Sequence, residues 1–224
     1  MYVLHYAPDN ASLIVRLVLE ELGVPYRALL VDRSIRQQDS AAFRALNPAR
    51  LIPVLETPEG PISETGAILL WLSERHDAMG AQGAGRGDFL RVLFFVANTL
   101  HADLRMVFYP EQYAGESRAN QQILHDAVTA RVRRHFALLD AEEWPGGAPS
   151  VLGYYVAVTM RWAQLYARLG ADWFDLSAFP NLAAMAARLE ARGAAQRAVI
   201  AEGLGPSPFT APVPCNPPEG SALG

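Results

Sequence analysis

A chain of 224 residues with 51% apolar and 19% charged side chains can bury a substantial core, either as one large domain or as two of ordinary size. A net charge of −4 and a pI of about 5.7 exclude an extended nucleic-acid surface, which needs clustered Lys and Arg. The lone cysteine, Cys215, excludes an internal disulfide, a Cys-x-x-Cys redox pair and a multi-cysteine zinc site. The longest apolar runs, Val92 to Ala97 and Ala67 to Leu72, fall far short of the roughly 20 residues of a membrane-spanning helix. Met1 to Pro8 lack the basic start and apolar stretch of a secretory signal, so the expectation is a cytoplasmic protein with neither membrane nor nucleic acid as partner.

Tyr2 to Tyr6, closed by Ala7-Pro8, suits a buried strand. Ile14, Leu17, Val18 and Leu22 recur at helical spacing, and Gly23 and Pro25 stop that helix. Tyr26 to Val31 is a second strand, and Ser40 to Leu46 a short helix ended ahead of Pro48. Val54 to Thr57 and Pro61 to Ser63, joined by Pro58-Glu59-Gly60, form a hairpin, and Thr65 to His76 a helix with Ile68, Trp71 and Leu72 on one face. The order βαβαββα implies a mixed sheet: a parallel pair with a helical crossover, extended by an antiparallel hairpin.

Glycines then crowd residues 77 to 87, the natural linker. Gly83 to Gly87 follows a helix rather than a strand, so it does not read as a phosphate-binding loop. Everything beyond is helical. Leu90 to Val107 forms one long amphipathic helix, Val128 to Leu139 marks another, Val156 to Leu169 is apolar all round as in the centre of a bundle, and a further helix follows Pro180. Arg131, Arg133 and Arg134 spread around a solvated face. The prolines after Gly203 exclude regular helix. The expected division is 1–78, an α/β domain; 79–86, a linker; 87–202, an all-α helical bundle; and 203–224, an extended Pro-rich tail.

Three segments resemble the glutathione transferase family: Tyr6-Ala7-Pro8-Asp9-Asn10-Ala11-Ser12, Asn47-Pro48-Ala49-Arg50-Leu51-Ile52-Pro53-Val54-Leu55, and Glu64-Thr65-Gly66-Ala67-Ile68. The resemblance implies a thioredoxin-like first domain that binds glutathione, a helical second domain, and a two-fold homodimer. It implies a cis Ile52-Pro53 bond that turns the Ile52 backbone toward the cysteinyl part of glutathione. It also implies that Thr65 and the first helical turn receive the γ-glutamyl carboxylate, with Glu64 accepting from the ammonium group. Read without the resemblance, Ser63-Glu64-Thr65 is a helix cap. Arg50 is the cation available for the glycyl carboxylate, displaced by one residue from the family's usual basic position, where Leu51 stands.

A free thiol with a pKa near 8.5 needs lowering by about two units, roughly 2.7 kcal/mol, to be mainly thiolate at neutral pH. One donor at the start of the first helix can supply much of that. Ser12 is the first candidate, one residue beyond the place where the beta class carries its cysteine, here Ala11; Tyr6 and Asn10 are the alternatives. By resemblance the electrophile lies between the domains against the long helix, where Asn98, His101, Arg105, Met106 and Tyr109 are candidates. His101 has no partner at metal-binding spacing, so no metal is expected. The family usually caps its central helix with Ser or Thr and an Asp three residues on; Ala157 and Met160 occupy those places in the expected register, so a missing cap is expected.

The implied activity is conjugation of the glutathione thiolate to small electrophiles in detoxification. The alternatives are a glutathione-dependent isomerase, dehalogenase or peroxidase on the same scaffold, or a non-catalytic interaction module, because fold does not fix function.

Overall fold

The computed structural model describes residues 1–144, 146 and 148–217. Strands β1 (Tyr2–Tyr6), β2 (Tyr26–Leu30), β3 (Val54–Thr57) and β4 (Gly60–Ser63) form one sheet in the order β2-β1-β3-β4. β1 and β2 are parallel, with Leu4 opposite Ala28; β3 runs antiparallel to β1, with Leu4 opposite Leu55, and β4 antiparallel to β3. Helices α1 (Ser12–Leu22), α2 (Ala41–Leu46) and α3 (Thr65–Arg75) complete the thioredoxin-like βαβαββα unit. Its helices end where the chemistry dictates. Gly23 takes φ 63° to close α1, and the Ser40 hydroxyl caps α2 by accepting from the Phe43 N–H at 3.2 Å. A turn of tight helix at Gln37–Asp39, without an apolar periodicity of its own, precedes α2.

Arg86–Phe95 (α4) continues through a π-helical segment, Val96–Leu100, into α5 (His101–Phe108), so one helical rod lies along the first domain. A short α6 (Glu111–Ala114), α7 (Arg118–Asp140), α8 (Val151–Leu165), α9 (Pro180–Glu190) and α10 (Gly193–Glu202) build the helical domain. Among the described residues no helix is long and apolar enough to cross a membrane.

The central helix differs from its expected bounds. α8 begins at Val151 rather than Val156, and the Ser150 hydroxyl caps it by accepting from the Gly153 N–H at 3.0 Å. The expected loss of a cap at Ala157 and Met160 is therefore corrected: both lie inside the helix, and the cap is present with Gly153 at its third position. Every residue from Val151 to Ala163 is buried, the fully enclosed Arg161 among them.

Arg161 ties the molecule together. Its guanidinium makes a two-pronged ion pair with Asp9, the residue after Pro8 in the β1–α1 loop, at 2.9 and 2.7 Å. It also donates to the carbonyls of Leu204, Pro208 and Val213. Those carbonyls belong to the stretch after α10, which folds back with Phe209 fully buried; residues 218–224 of the expected tail lie outside the described residues. Glu202, at the end of α10, accepts from the Asp9 N–H at 2.8 Å and from Arg16 on α1 at 2.6 Å. Burial opposes the charge on Arg161, and the Asp9 carboxylate outweighs it. Burial pushes Glu202 up to about 7, against the opposing effects of the Arg16 guanidinium and the hydrogen bond from the Asp9 N–H.

Removing one partner of a buried pair strands the other charge. Arg161→Met is expected to lower unfolding free energy by about 3–5 kcal/mol in urea titrations, and the double variant with Asp9→Asn to recover part of it. Glu202 carries a raised pKa, so its contribution is full below its ordinary 4.5 and is lost as pH rises through about 7. That loss amounts to roughly 3 kcal/mol, and Glu202→Gln should flatten the fall in stability across this interval, measured by the same titrations.

Candidate active site

The two domains face each other across a cavity of about 920 Å³. The wall on the first domain combines Asn10 and Ala11 from the β1–α1 loop, Arg33 after β2, Leu51, Ile52 and Pro53 ahead of β3, and Glu64 to Ala67 at the start of α3. The opposite wall comes from α4, the π segment and α5, through residues such as Asn98, His101 and Arg105, and from α8, through Tyr155 and Trp162.

The Ile52-Pro53 bond is cis, as the resemblance implied. The loop ahead of it is held by the buried Asn47, whose amide donates to the Leu51 carbonyl at 2.9 Å and accepts from the Ala49 N–H at 3.0 Å. Glu64 has φ 70° and ψ 117°, a conformation that residues with a Cβ rarely adopt, and its carbonyl accepts the Ile68 N–H at 3.0 Å. Thr65 and Gly66 follow it in the cavity wall. The N–H groups of a first helical turn have no partner inside the helix, so the start of α3 offers donors and a positive dipole end to this space. A Cβ on Gly66 would meet the Ala97 Cβ at 3.4 Å, so small residues on both walls set the approach of the two domains here.

The three candidates for the thiolate donor separate. Asn10 lines the cavity, and its Oδ1 accepts the Ala11 N–H at 2.8 Å, which fixes the amide so that Nδ2 remains a donor. Ser12 is fully buried outside the lining. Its hydroxyl donates to the Ala7 carbonyl at 3.0 Å and accepts the Ala7 N–H at 3.2 Å, closing the 7–12 loop. Tyr6 is buried in the core under the Arg16 guanidinium, 4.6 Å from its ring centroid. Of the three side chains, Asn10 faces the cavity, and Ser12 and Tyr6 face the protein interior.

The cation expected at Arg50 is displaced as well. With φ 60°, Arg50 turns its half-exposed side chain to Asp39, Nη1 to carboxylate 3.3 Å, outside the lining; Arg33 is the arginine in the wall of the first domain. Of the electrophile candidates, Asn98, His101, Arg105 and Tyr109 line the cavity. Met106 does not: one residue on from Arg105 is about 100° around the helix, and it packs partly buried against the core.

Sequence reasoning missed Arg33, Trp162, Tyr166 and Arg168, all in the lining. Trp162 and Tyr166, four residues apart at the end of α8, both donate to Asp9, the indole N–H at 3.1 Å. Their shared helical face was the available signal, hidden by an apolar run that reads as core throughout. Among the described residues, none of the stretch after α10 lines the cavity; Phe209 and Cys215 pack with the core instead.

His101 Nδ1 lies 2.9 Å from the Tyr155 hydroxyl, and its ring tilts against Trp162 at 5.3 Å between centroids. Burial, with the nearby Arg105 adding, holds the imidazole pKa down at about 4, so it is neutral at pH 7. Burial, followed by the charge of Glu64, raises the Tyr155 phenol, which stays protonated. Tyr155 is then the donor to Nδ1, and the imidazole proton sits on Nε2.

A cis-proline loop, an open helix start and a polar β1–α1 loop, gathered on a thioredoxin-like sheet and covered by a helical domain, are the arrangement that the resemblance to glutathione transferases implied. The family model described as the glutathione S-transferase N-terminal domain matches residues 4–81. Glutathione S-transferase GST-4.5 of Xanthomonas campestris pv. campestris is 29% identical over 210 residues, 90% of this chain and 98% of that protein. A maleylpyruvate isomerase of Ralstonia sp is 37% identical over 76 residues, 34% of this chain and 36% of that protein. The solved structure of a sphingomonad glutathione S-transferase complexed with glutathione is 27% identical with a TM-score of 0.72, covering 91% of this chain and 100% of that one. Residues 4–81 thus match the glutathione S-transferase N-terminal domain, and the chain as a whole is similar to bacterial glutathione transferases.

The neutral imidazole is directly observable. By NMR titration His101 should stay neutral across the physiological range and titrate at about 4. Arg105→Gln should move that value up, because it removes a like charge.

Proposed function

We propose that the protein is a glutathione transferase that joins the glutathione thiolate to small electrophiles held against the helical wall. The observation that carries this reading is that Ile52, Glu64, Thr65 and Asn10 share the wall of one cavity. The Ile52 backbone would pair with the cysteinyl unit in extended form, while the start of α3 and the Thr65 hydroxyl would take the γ-glutamyl carboxylate. Glu64 would accept from the ammonium. Arg33 replaces Arg50 as the residue facing the glycyl end.

In this reading Asn10 is the catalytic donor. Its Nδ2–H would hydrogen-bond the thiolate at the start of α1, where the helix dipole acts in the same sense. Nucleophilic attack then follows from a stabilised anion and a co-substrate fixed beside it. Family likeness supports a two-fold homodimer as the working unit and a cytoplasmic setting.

A second reading, a glutathione-dependent isomerase, is favoured by the 37% identity of a 76-residue stretch to maleylpyruvate isomerase. Conjugation turnover with a halogenated nitroaromatic, set beside an isomerase assay on a cis-unsaturated dicarboxylic acid, decides between them.

Asn10→Ala and Asn10→Asp should each cut conjugation turnover by about tenfold or more, equal to ~1.4 kcal/mol of lost thiolate stabilisation. The thiolate absorbance of bound glutathione should titrate at higher pH in both. Ser12→Ala should lower stability and leave that titration in place. If Ser12→Ala shifts the thiolate titration and Asn10→Ala does not, the assignment is wrong.

A further inference from the structure

The charges around the cavity are distributed unevenly. The acids in its lining, Asp9 and Glu64, both stand on the first domain, and Asp9 is committed to Arg161. Among the described residues the helical wall carries arginines, Arg105 and Arg168, and no acid. Arg168 reaches the Glu111 carboxylate at 3.6 Å. Arg105 has no carboxylate partner among the described residues; its guanidinium lies over the Tyr109 ring, 5.9 Å from the centroid.

Arg105 stands out against the partly or fully buried arginines elsewhere in the molecule. Arg16, Arg161 and Arg192 are each paired with a carboxylate at 2.5 to 2.7 Å. Removing a cation from bulk water without a counter-ion is unfavourable, so an arginine held in a cavity wall without one is a site for an anion. One turn before it, His101 presents a neutral N–H, and Asn98 stands in the same wall. Phe94, Phe108 and Leu165 supply apolar surface beside these donors.

Building on the glutathione reading of the site, we propose that the co-substrate is itself an anion, a carboxylate on an apolar or aromatic body, and that Arg105 is the residue that selects it. The guanidinium fork suits a carboxylate in two-pronged geometry, and a lysine cannot reproduce that geometry. A neutral electrophile would use the apolar surface and leave Arg105 unsatisfied.

The test is isothermal titration of the full-length protein with a chloronitrobenzoate and with its methyl ester, each with and without S-methylglutathione. Wild type should bind the acid about tenfold more tightly than the ester, the usual size of a charge-assisted contact. Arg105→Gln should abolish that preference while leaving the ester's affinity and the thermal midpoint unchanged, and Arg105→Lys should keep part of it. Glutathione disulfide, whose second tripeptide brings carboxylates of its own, is titrated alongside. Loss of the acid preference in Arg105→Gln supports the anchor, and a parallel loss of affinity for glutathione disulfide shows that the anchor also takes a peptide carboxylate. Equal affinity for acid and ester, or a preference that survives Arg105→Gln, overturns the proposal. Failure of S-methylglutathione to bind would instead overturn the glutathione reading, because the preference for the acid is measured without it too.

Discussion

The buried ion pair between Asp9 and Arg161 sets the position of everything around the cavity. Asp9 is neighbour to Asn10, and Arg161 is neighbour to Trp162, and both neighbours line the cavity. A two-pronged guanidinium–carboxylate contact fixes distance and plane together. Loop and helix are therefore held in one relative placement, and the space between them is defined by it. Two more bonds from Trp162 and Tyr166 leave the carboxylate fully occupied. The pair is also doubled: Glu202 and Arg16 repeat the same charges next to it, so two acids and two bases share one enclosed region. Such a cluster is worth less in net stability than its bond count suggests, because each charge is desolvated. Its effect is on geometry.

The stretch after α10 belongs to this arrangement. Prolines keep it from forming a helix, and its carbonyls are therefore free to serve Arg161. A guanidinium offers five donors, more than one carboxylate can satisfy, and buried donors need partners. The backbone of residues 204–213 supplies them, which is how a segment without secondary structure becomes part of the core beside Phe209.

The strands and first helices were legible because their signals are local. The β1 run, the Gly23 stop, the Pro58-Glu59-Gly60 turn and the apolar spacing of α3 each act within a few residues. The start of α8 was not legible from spacing, since a helix buried on all sides has no amphipathic phase; only the Ser150 cap marks it. The candidate site was legible as a set of segments and not as a set of side chains. Asn10, Ser12 and Tyr6 lie within seven residues, yet one faces the cavity, one closes its own loop and one packs under Arg16. Which way each points depends on a backbone at φ 50° at Asp9 and on the distant Arg161 that holds it there. Arg50 and Arg33 exchange places for the same kind of reason: a positive φ at Arg50 aims it at Asp39.

Polar groups on the helical wall follow from the same logic of partners. His101 is neutral because burial and Arg105 both oppose its proton, and Tyr155 fixes its tautomer by donating to Nδ1. A neutral imidazole adds a donor without adding charge, so the cationic character of that wall rests on its arginines. On the first domain the order is reversed: the acid at Glu64 stands at the positive end of α3, where a helix dipole stabilises it. A ligand that spans the cavity therefore meets helix-end donors with a carboxylate on one side, and a guanidinium with neutral donors on the other. A zwitterionic peptide on the first wall and an anion on the second satisfy both.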